Sequence, residues 1–189
     1  NNSDTFIHYD NVQLPTGAYF TTRVQVNTAN GICWITIPIN RQKGRHILIN
    51  EAEILDSNWR QKHLNTLYHA YAKTTFFEQL YELAEKNILY NTNNLALVNQ
   101  HGIEVIADYL GIKKSFSVSS KINCTGEKNM RLIQLCKLNN SNTYITGHGA
   151  FNYLDHELFD KNGITVVYPN YKCKNFTHIN GTFTPYVTI

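Results

Sequence analysis

The sequence predicts a mixed α/β fold, a mostly parallel sheet flanked by helices with a β-hairpin-rich N-terminal third. Three observations predict it. The first third consists of short β-branched and aromatic runs separated by Pro15-Thr16-Gly17 and Asn30-Gly31, the second of which is a hairpin signal. The rest alternates helix-periodic and strand-like stretches, the order that lays helices over parallel strands. No linker, repeat or low-complexity block interrupts the 189 residues. One domain over 1–189 is therefore expected, long enough to bury most of its apolar surface.

Thr5-Phe6-Ile7-His8-Tyr9 reads as the first strand, closing at Asp10-Asn11-Val12-Gln13. Ala18 to Val26 is the second, and Ile32 to Ile37 the third, across the hairpin. The polar loop from Arg41 to His46 sets Arg41, Lys43 and Arg45 around Gly44. It lacks the P-loop spacing, yet three cations about a glycine suit a phosphate; a merely solvated loop has the same composition. Ile47 to Leu55 is read as a further strand.

Ser57 then caps a helix from Asn58 to Lys73, with Leu64, Leu67, Tyr68 and Tyr71 as its buried stripe. Trp59, His63, Leu67 and Ala70 form the adjacent row. His63 thus stands at the margin of the buried face, where a packing histidine is commoner than a catalytic one. Helices follow over 75–87 and 93–109, the second stopped by Gly111. A strand from Lys114 to Ser119 ends in the small hydroxyls Ser119-Ser120, and 127–138 is helical, burying Leu132, Leu135 and Cys136. The next stretch reads as a strand from Thr143 to Thr146, a Gly147-His148-Gly149 turn and a helix capped by Asp155. Strands at Ile164 to Tyr168 and Phe183 to Ile189 complete the chain.

Composition removes several functions. A chain 42% hydrophobic and 16% charged is globular, and no run of 18 apolar residues spans a bilayer. A net charge of +3, scattered along the chain, gives no nucleic-acid footprint. The four cysteines lie far apart without a C-x-x-C pair, and no H-E-x-x-H occurs, so neither a metal nor a disulfide framework is expected. With no signal-peptide pattern, the expected setting is a reducing one, the cytoplasm. G-x-S-x-G and G-x-G-x-x-G are both absent, which disfavours a conventional serine hydrolase and a dinucleotide site.

What remains is chemistry at strand and helix ends: Asp10, Gln13, Arg23, Lys43, Arg45, His63, Ser120, Thr146, His148 and Tyr153. In open α/β sheets ligands bind beyond the carboxyl ends of strands. His148, between two glycines at such an end, is the leading candidate base, since histidine titrates near neutral pH. A hydrogen-bonded turn residue would carry the same local sequence. Hydroxyl and amide donors with cationic anchors suit group transfer on a polar, phosphorylated substrate, and equally a binding module.

The order of several segments resembles the WbqC-like family, whose genes accompany those for surface polysaccharides and unusual amino sugars. Asp4-Thr5-Phe6 through Asp10-Asn11-Val12-Gln13 resembles its D-x-F-x-x-x-D-x-V-Q segment. Arg23 falls where the family carries an arginine or an asparagine–arginine pair. Trp34-Ile35-Thr36-Ile37-Pro38 resembles its W-L-T-x-P strand, followed by a Lys43-Gly44 loop. Trp59-Arg60-Gln61-Lys62-His63 with Ala70-Tyr71 resembles its W-x-x-K-H…A-Y helix. Thr143 to Gly147, Tyr153-Leu154-Asp155 and Leu158-Phe159 resemble its late strand–turn–helix. Two departures stand out: an opening strand bearing H-Q-P-x-Y-x-P-W is missing before Asn1, and relatives continue past Ile189 into a further helix. The chain reads as a core excised from something longer.

The resemblance implies N-acylation of a nucleotide-linked amino sugar, with acetyl-CoA as donor and co-substrate. It is similar in this to the viosamine-type N-acetyltransferase domains of giant viruses, and a viral member would act in the host cytoplasm. On that expectation His148 is the general base, with His63 as runner-up. Lys43 and Arg45 hold phosphates of the cofactor or nucleotide, and Asp10, Gln13, Arg23, Ser120, Thr146 and Tyr153 bind the sugar substrate. The alternative is a non-catalytic sugar-nucleotide binding module attached to a glycosyltransferase, fused through a further C-terminal domain. Oligomeric state is left open by the sequence.

Overall fold

Two discontinuous compact units make up the computed structural model. It describes residues 3–17, 20–42, 44, 46–55, 57–171, 174–181, 183–184 and 186–188. Unit 1 takes residues 1–9 and 114–173; unit 2 takes 10–113 and 174–189. The chain therefore passes between units after Tyr9, Lys113 and Cys173, none of which a shift in composition announces.

Unit 1 is the parallel part. Strand β1 (Thr5–His8) pairs in parallel with β4 (Ser115–Val118), Thr5 opposite Ser115 and His8 opposite Val118. Strand β5 (Thr143–Ile145) pairs in parallel with β6 (Thr165–Val167). Parallel neighbours require crossovers, and here helices α4 (Lys128–Leu138) and α5 (His156–Lys161) supply covering faces. Ile133 and Cys136 of α4 pack with Ala150, Leu154, Phe159 and Ile164 into one apolar cluster. Asp155 caps α5 as expected, its carboxylate accepting the Leu158 N–H at 3.0 Å.

Unit 2 holds the hairpin. Strand β2 (Arg23–Thr28) runs antiparallel to β3 (Gly31–Thr36), and β7 (Val187–Thr188) joins the other edge of β2 in parallel. The turn needs Gly31, whose φ is +103°. Three helices follow: α1 (Trp59–Tyr71), α2 (Phe77–Ile88) and α3 (Leu95–Tyr109). Val26 of β2 is fully buried against a core that includes Trp59, Leu64, Leu67, Leu95 and Val98. Burying a side chain of that size is worth about 1.5–3 kcal/mol.

The mixed α/β class holds, with the strands divided among three small sheets in the described residues. One expected strand is different. Ile47 to Leu55 is a 3-10 turn at Ile49–Glu51 flanked by isolated bridges. Its backbone donors are answered piecemeal, Ile49 by Val12 O, Asn50 by Asp10 O and Ile54 by Asn93 O. Among the described residues no single neighbouring strand lies alongside, so the stretch makes isolated bridges and not a ladder. The second strand starts later than expected, at Arg23, with residues 18 and 19 outside the described set. Of the expected terminal strand only Val187–Thr188 is paired, and 182, 185 and 189 lie outside that set.

Candidate functional site

The expected site residues divide between the units. Asp10, Gln13, Arg23 and His63 belong to unit 2, and Ser120, Thr146, His148 and Tyr153 to unit 1. Lys43 and Arg45 lie outside the described residues; Gly44 between them has φ +101°, and its N–H donates to Arg41 O.

In unit 2 the structure ties these groups to their neighbours. His63 is buried, its ring edge-on to Trp59 at 5.0 Å, with Nε2 3.2 Å from Thr36 O. A carbonyl only accepts, so this bond requires the proton on Nε2. Burial pushes the imidazole below its ordinary pKa, and the bond to Thr36 partly restores it. This is the geometry of a packing histidine. Asp10 is buried, and Gln13 donates through Nε2 to His46 Nδ1 at 3.0 Å. Arg23 lays its guanidinium 3.8 Å over the Trp34 ring, a cation–π contact, while its Nε is buried without a hydrogen-bond partner among the described residues. An apolar pocket of about 250 Å³ lies between α1, α2 and residues 176–179, and among the described residues none of the expected site residues lines it.

In unit 1 chemistry collects where strands end. Beyond β5, Gly147 leads into a 3-10 turn, His148–Ala150. His148 is exposed there, and neither ring nitrogen is hydrogen-bonded among the described residues. Its ring stacks on Tyr168, just past β6, with centroids 5.5 Å apart. Tyr168 also shares a 2.8 Å hydrogen bond with His156 Nε2, and Phe151 packs beside both. Ser120 is exposed in the 3-10 turn after β4. The tyrosine and second histidine of this cluster were missed by sequence reasoning, although Tyr168 stands at a strand end as His148 does.

Unit 1 also holds a second group. The half-buried Tyr144 phenol is pushed up chiefly by burial; a hydrogen bond with the Thr146 side chain opposes this, and Tyr153, Cys136 and Tyr9 add to it. Tyr9, just past β1, is likewise pushed up by burial, against the pull of Arg131 and with a contribution from Cys124. Both phenols therefore stay protonated and able to donate at neutral pH. Arg131, in the first turn of α4, sits with its guanidinium 5.9 Å from the Tyr9 ring centre. Of the expected residues, Thr146 hydrogen-bonds the Tyr144 side chain and Tyr153 acts on it electrostatically, while Tyr9, Tyr144 and Arg131 are additions.

Among the described residues no three His, Cys, Asp or Glu side chains gather as metal ligands, and no helix is long and apolar enough to cross a membrane. No solved structure matches the chain. The WbqC-like protein family matches residues 1–189. A relative named "Uncharacterized protein Rv1507c", from Mycobacterium tuberculosis (strain ATCC 25618 / H37Rv), is 31% identical over 189 residues, covering 98% of this chain and 81% of its own. The family match along the whole length and a relative 31% identical over 98% of the chain lead to one conclusion: the chain belongs to the WbqC-like protein family.

Proposed function

We propose that the protein is an N-acyltransferase that moves an acetyl group from acetyl-CoA to the amine of a nucleotide-linked amino sugar, with His148 as general base. The observation that supports it is the exposed imidazole of His148 at the end of β5, both nitrogens unbonded among the described residues. The substrate class comes from the family resemblance, viosamine-type 4-amino-4,6-dideoxy sugars being its most specific form. His148 takes a proton from the sugar ammonium, and the freed amine attacks the thioester carbonyl carbon. The tetrahedral intermediate, whose nitrogen is still cationic, loses that second proton to solvent and collapses with cleavage of the C–S bond. The CoA thiolate leaves and takes the proton held by His148, which returns the base to its starting state. General-base help of this kind is worth ~10²–10⁴ in rate. Thr146, hydrogen-bonded to the Tyr144 side chain, and Tyr153 supply hydrogen bonds for sugar hydroxyls. His63, buried and bonded to Thr36, has no part in this scheme.

The test is acetyl transfer to a nucleotide-linked 4-amino sugar, followed by mass spectrometry, in wild type and His148→Ala. A fall of ~10²-fold or more in turnover, with the fold intact, is expected. Near-normal turnover in the variant removes His148 from the role, and no product from wild type with any acyl-CoA removes the transferase. One observation favours a second reading: no carboxylate or carbonyl orients the His148 ring among the described residues. A sugar-nucleotide binding module of a larger glycosyltransferase would retain ligand and form no product.

A further inference from the structure

We infer that Arg131 is the centre of a phosphate-binding site in unit 1. Its Nε is buried and lacks a hydrogen-bond partner, and no carboxylate pairs with the guanidinium among the described residues. Folded proteins seldom leave a buried charged donor unanswered, because desolvation is compensated only by a partner. The Tyr9 ring, at 5.9 Å, stands at the outer limit of a cation–π contact and is too weak a partner to explain the position.

The position itself is firmly built. Arg131 N–H donates to Glu127 O, and Arg131 O accepts from the Cys124 thiol, which also approaches Gln134 Oε1 at 3.2 Å. Gln134 Oε1 in turn accepts the Gly126 N–H at 2.8 Å. Any Cβ at Gly126 would lie 2.9 Å from Arg131 N, so the loop is pressed against the first turn of α4. Lys128 enters that turn at φ +46°, a conformation that a lysine rarely adopts. The side chain is thus held on a fixed backbone.

The groups around it choose the ligand. Tyr9, whose ring faces the guanidinium, keeps its proton because burial pushes its phenol up, so the group beside Arg131 donates a hydrogen bond. A planar guanidinium with a phenolic donor matches a phosphate, which takes two parallel N–H bonds from the fork and further bonds on its remaining oxygens. That the phosphate belongs to a sugar nucleotide rests on the proposed function; the anion site stands without it. The expected phosphate grip at Lys43 and Arg45 belongs to unit 2 and is a separate matter.

Isothermal titration with pyrophosphate, UDP, dTDP and CoA tests the site in the whole chain, beside the acetyl-transfer assay. Wild type is expected to bind at least one of these with an affinity that falls as salt rises. Arg131→Met, which keeps the apolar stem, should weaken it at least tenfold, and Arg131→Lys should recover part of the loss. Tyr9→Phe should weaken it less. Unchanged thermal midpoints show that the variants fold. Arg131-dependent binding of UDP or dTDP assigns the phosphate to the sugar nucleotide, and of CoA to the acyl donor; either supports the site. Such binding without acetyl transfer discards the transferase and keeps the site. Equal affinity in Arg131→Met, or no binding by wild type, overturns it.

Discussion

Two histidines of similar sequence promise end in opposite surroundings. His148 presents an open ring at a strand end, and His63 gives its Nε2 proton to Thr36 O inside the unit 2 core. The consequence for His63 can be measured. Its pKa is lowered in the fold, so the folded chain binds fewer protons than the unfolded one once pH drops below about 6.5. The neutral ring's contribution is complete above that value and is lost as pH falls toward the folded pKa. Wild type should therefore lose more thermal stability between about pH 7.5 and about pH 5.5 than His63→Gln, which keeps a donor and does not titrate. Parallel pH curves for the two proteins would show that His63 is not the residue in question. Asp155 was legible from sequence because a cap reaches only three residues along its own chain. Arg131 was not legible, since its setting depends on Tyr9, which periodicity within 127–138 cannot reveal.

At the scale of elements, helix packing turns on one small residue. Gly102 of α3 lies against Asn87 of α2, where an added Cβ would meet the amide nitrogen at 2.6 Å and its carbon at 2.9 Å. Gly102→Ala should cost about 1–3 kcal/mol as α3 or the Asn87 side chain is pushed aside. In an Asn87→Ala background the space is free, and alanine's helix propensity then gains about 0.5–1 kcal/mol. The same substitution should thus change sign between backgrounds when urea midpoints are compared. A cost independent of Asn87 would mean that this contact does not set the spacing. The three helices were foreseen within a few residues at each end because their apolar spacing is local. The stretch from Ile47 to Leu55 departs from the expected strand because its hydrogen bonds go to Val12, Asp10 and Asn93, residues no local pattern names.

At the scale of the whole molecule, residues 174–189 close unit 2 onto strands laid down near the N-terminus. Strand β7 pairs with β2, Asn27 Nδ2 donates to Asn180 O at 2.8 Å, and Asn180 Nδ2 returns a bond to Asn27 O at 3.1 Å. Ending the chain after residue 173 removes both bonds and uncovers an edge of β2 beside the buried Val26. Hydrogen bonds of this kind contribute about 0.5–1.5 kcal/mol each. The expected loss is about 2–3 kcal/mol or more once apolar exposure is added. Both tryptophans, Trp34 and Trp59, lie in unit 2, so their fluorescence reports that unit alone. Truncation should shift the fluorescence midpoint in urea to lower concentration. An unmoved midpoint would show that unit 2 stands without its last residues.

Local sequence accounts for the mixed α/β class, the helices and their order, the α5 cap and the hairpin glycine. Each of these depends on interactions within a few residues, where periodicity and turn stereochemistry act. Tertiary structure alone decided that one expected histidine is packed and the other open. It also decided that the candidate site residues fall into two units, and that Arg131 comes to lie beside Tyr9. Those outcomes are set by burial and by partners far away along the chain, and desolvation acts on a side chain only once the whole surrounding shell has closed.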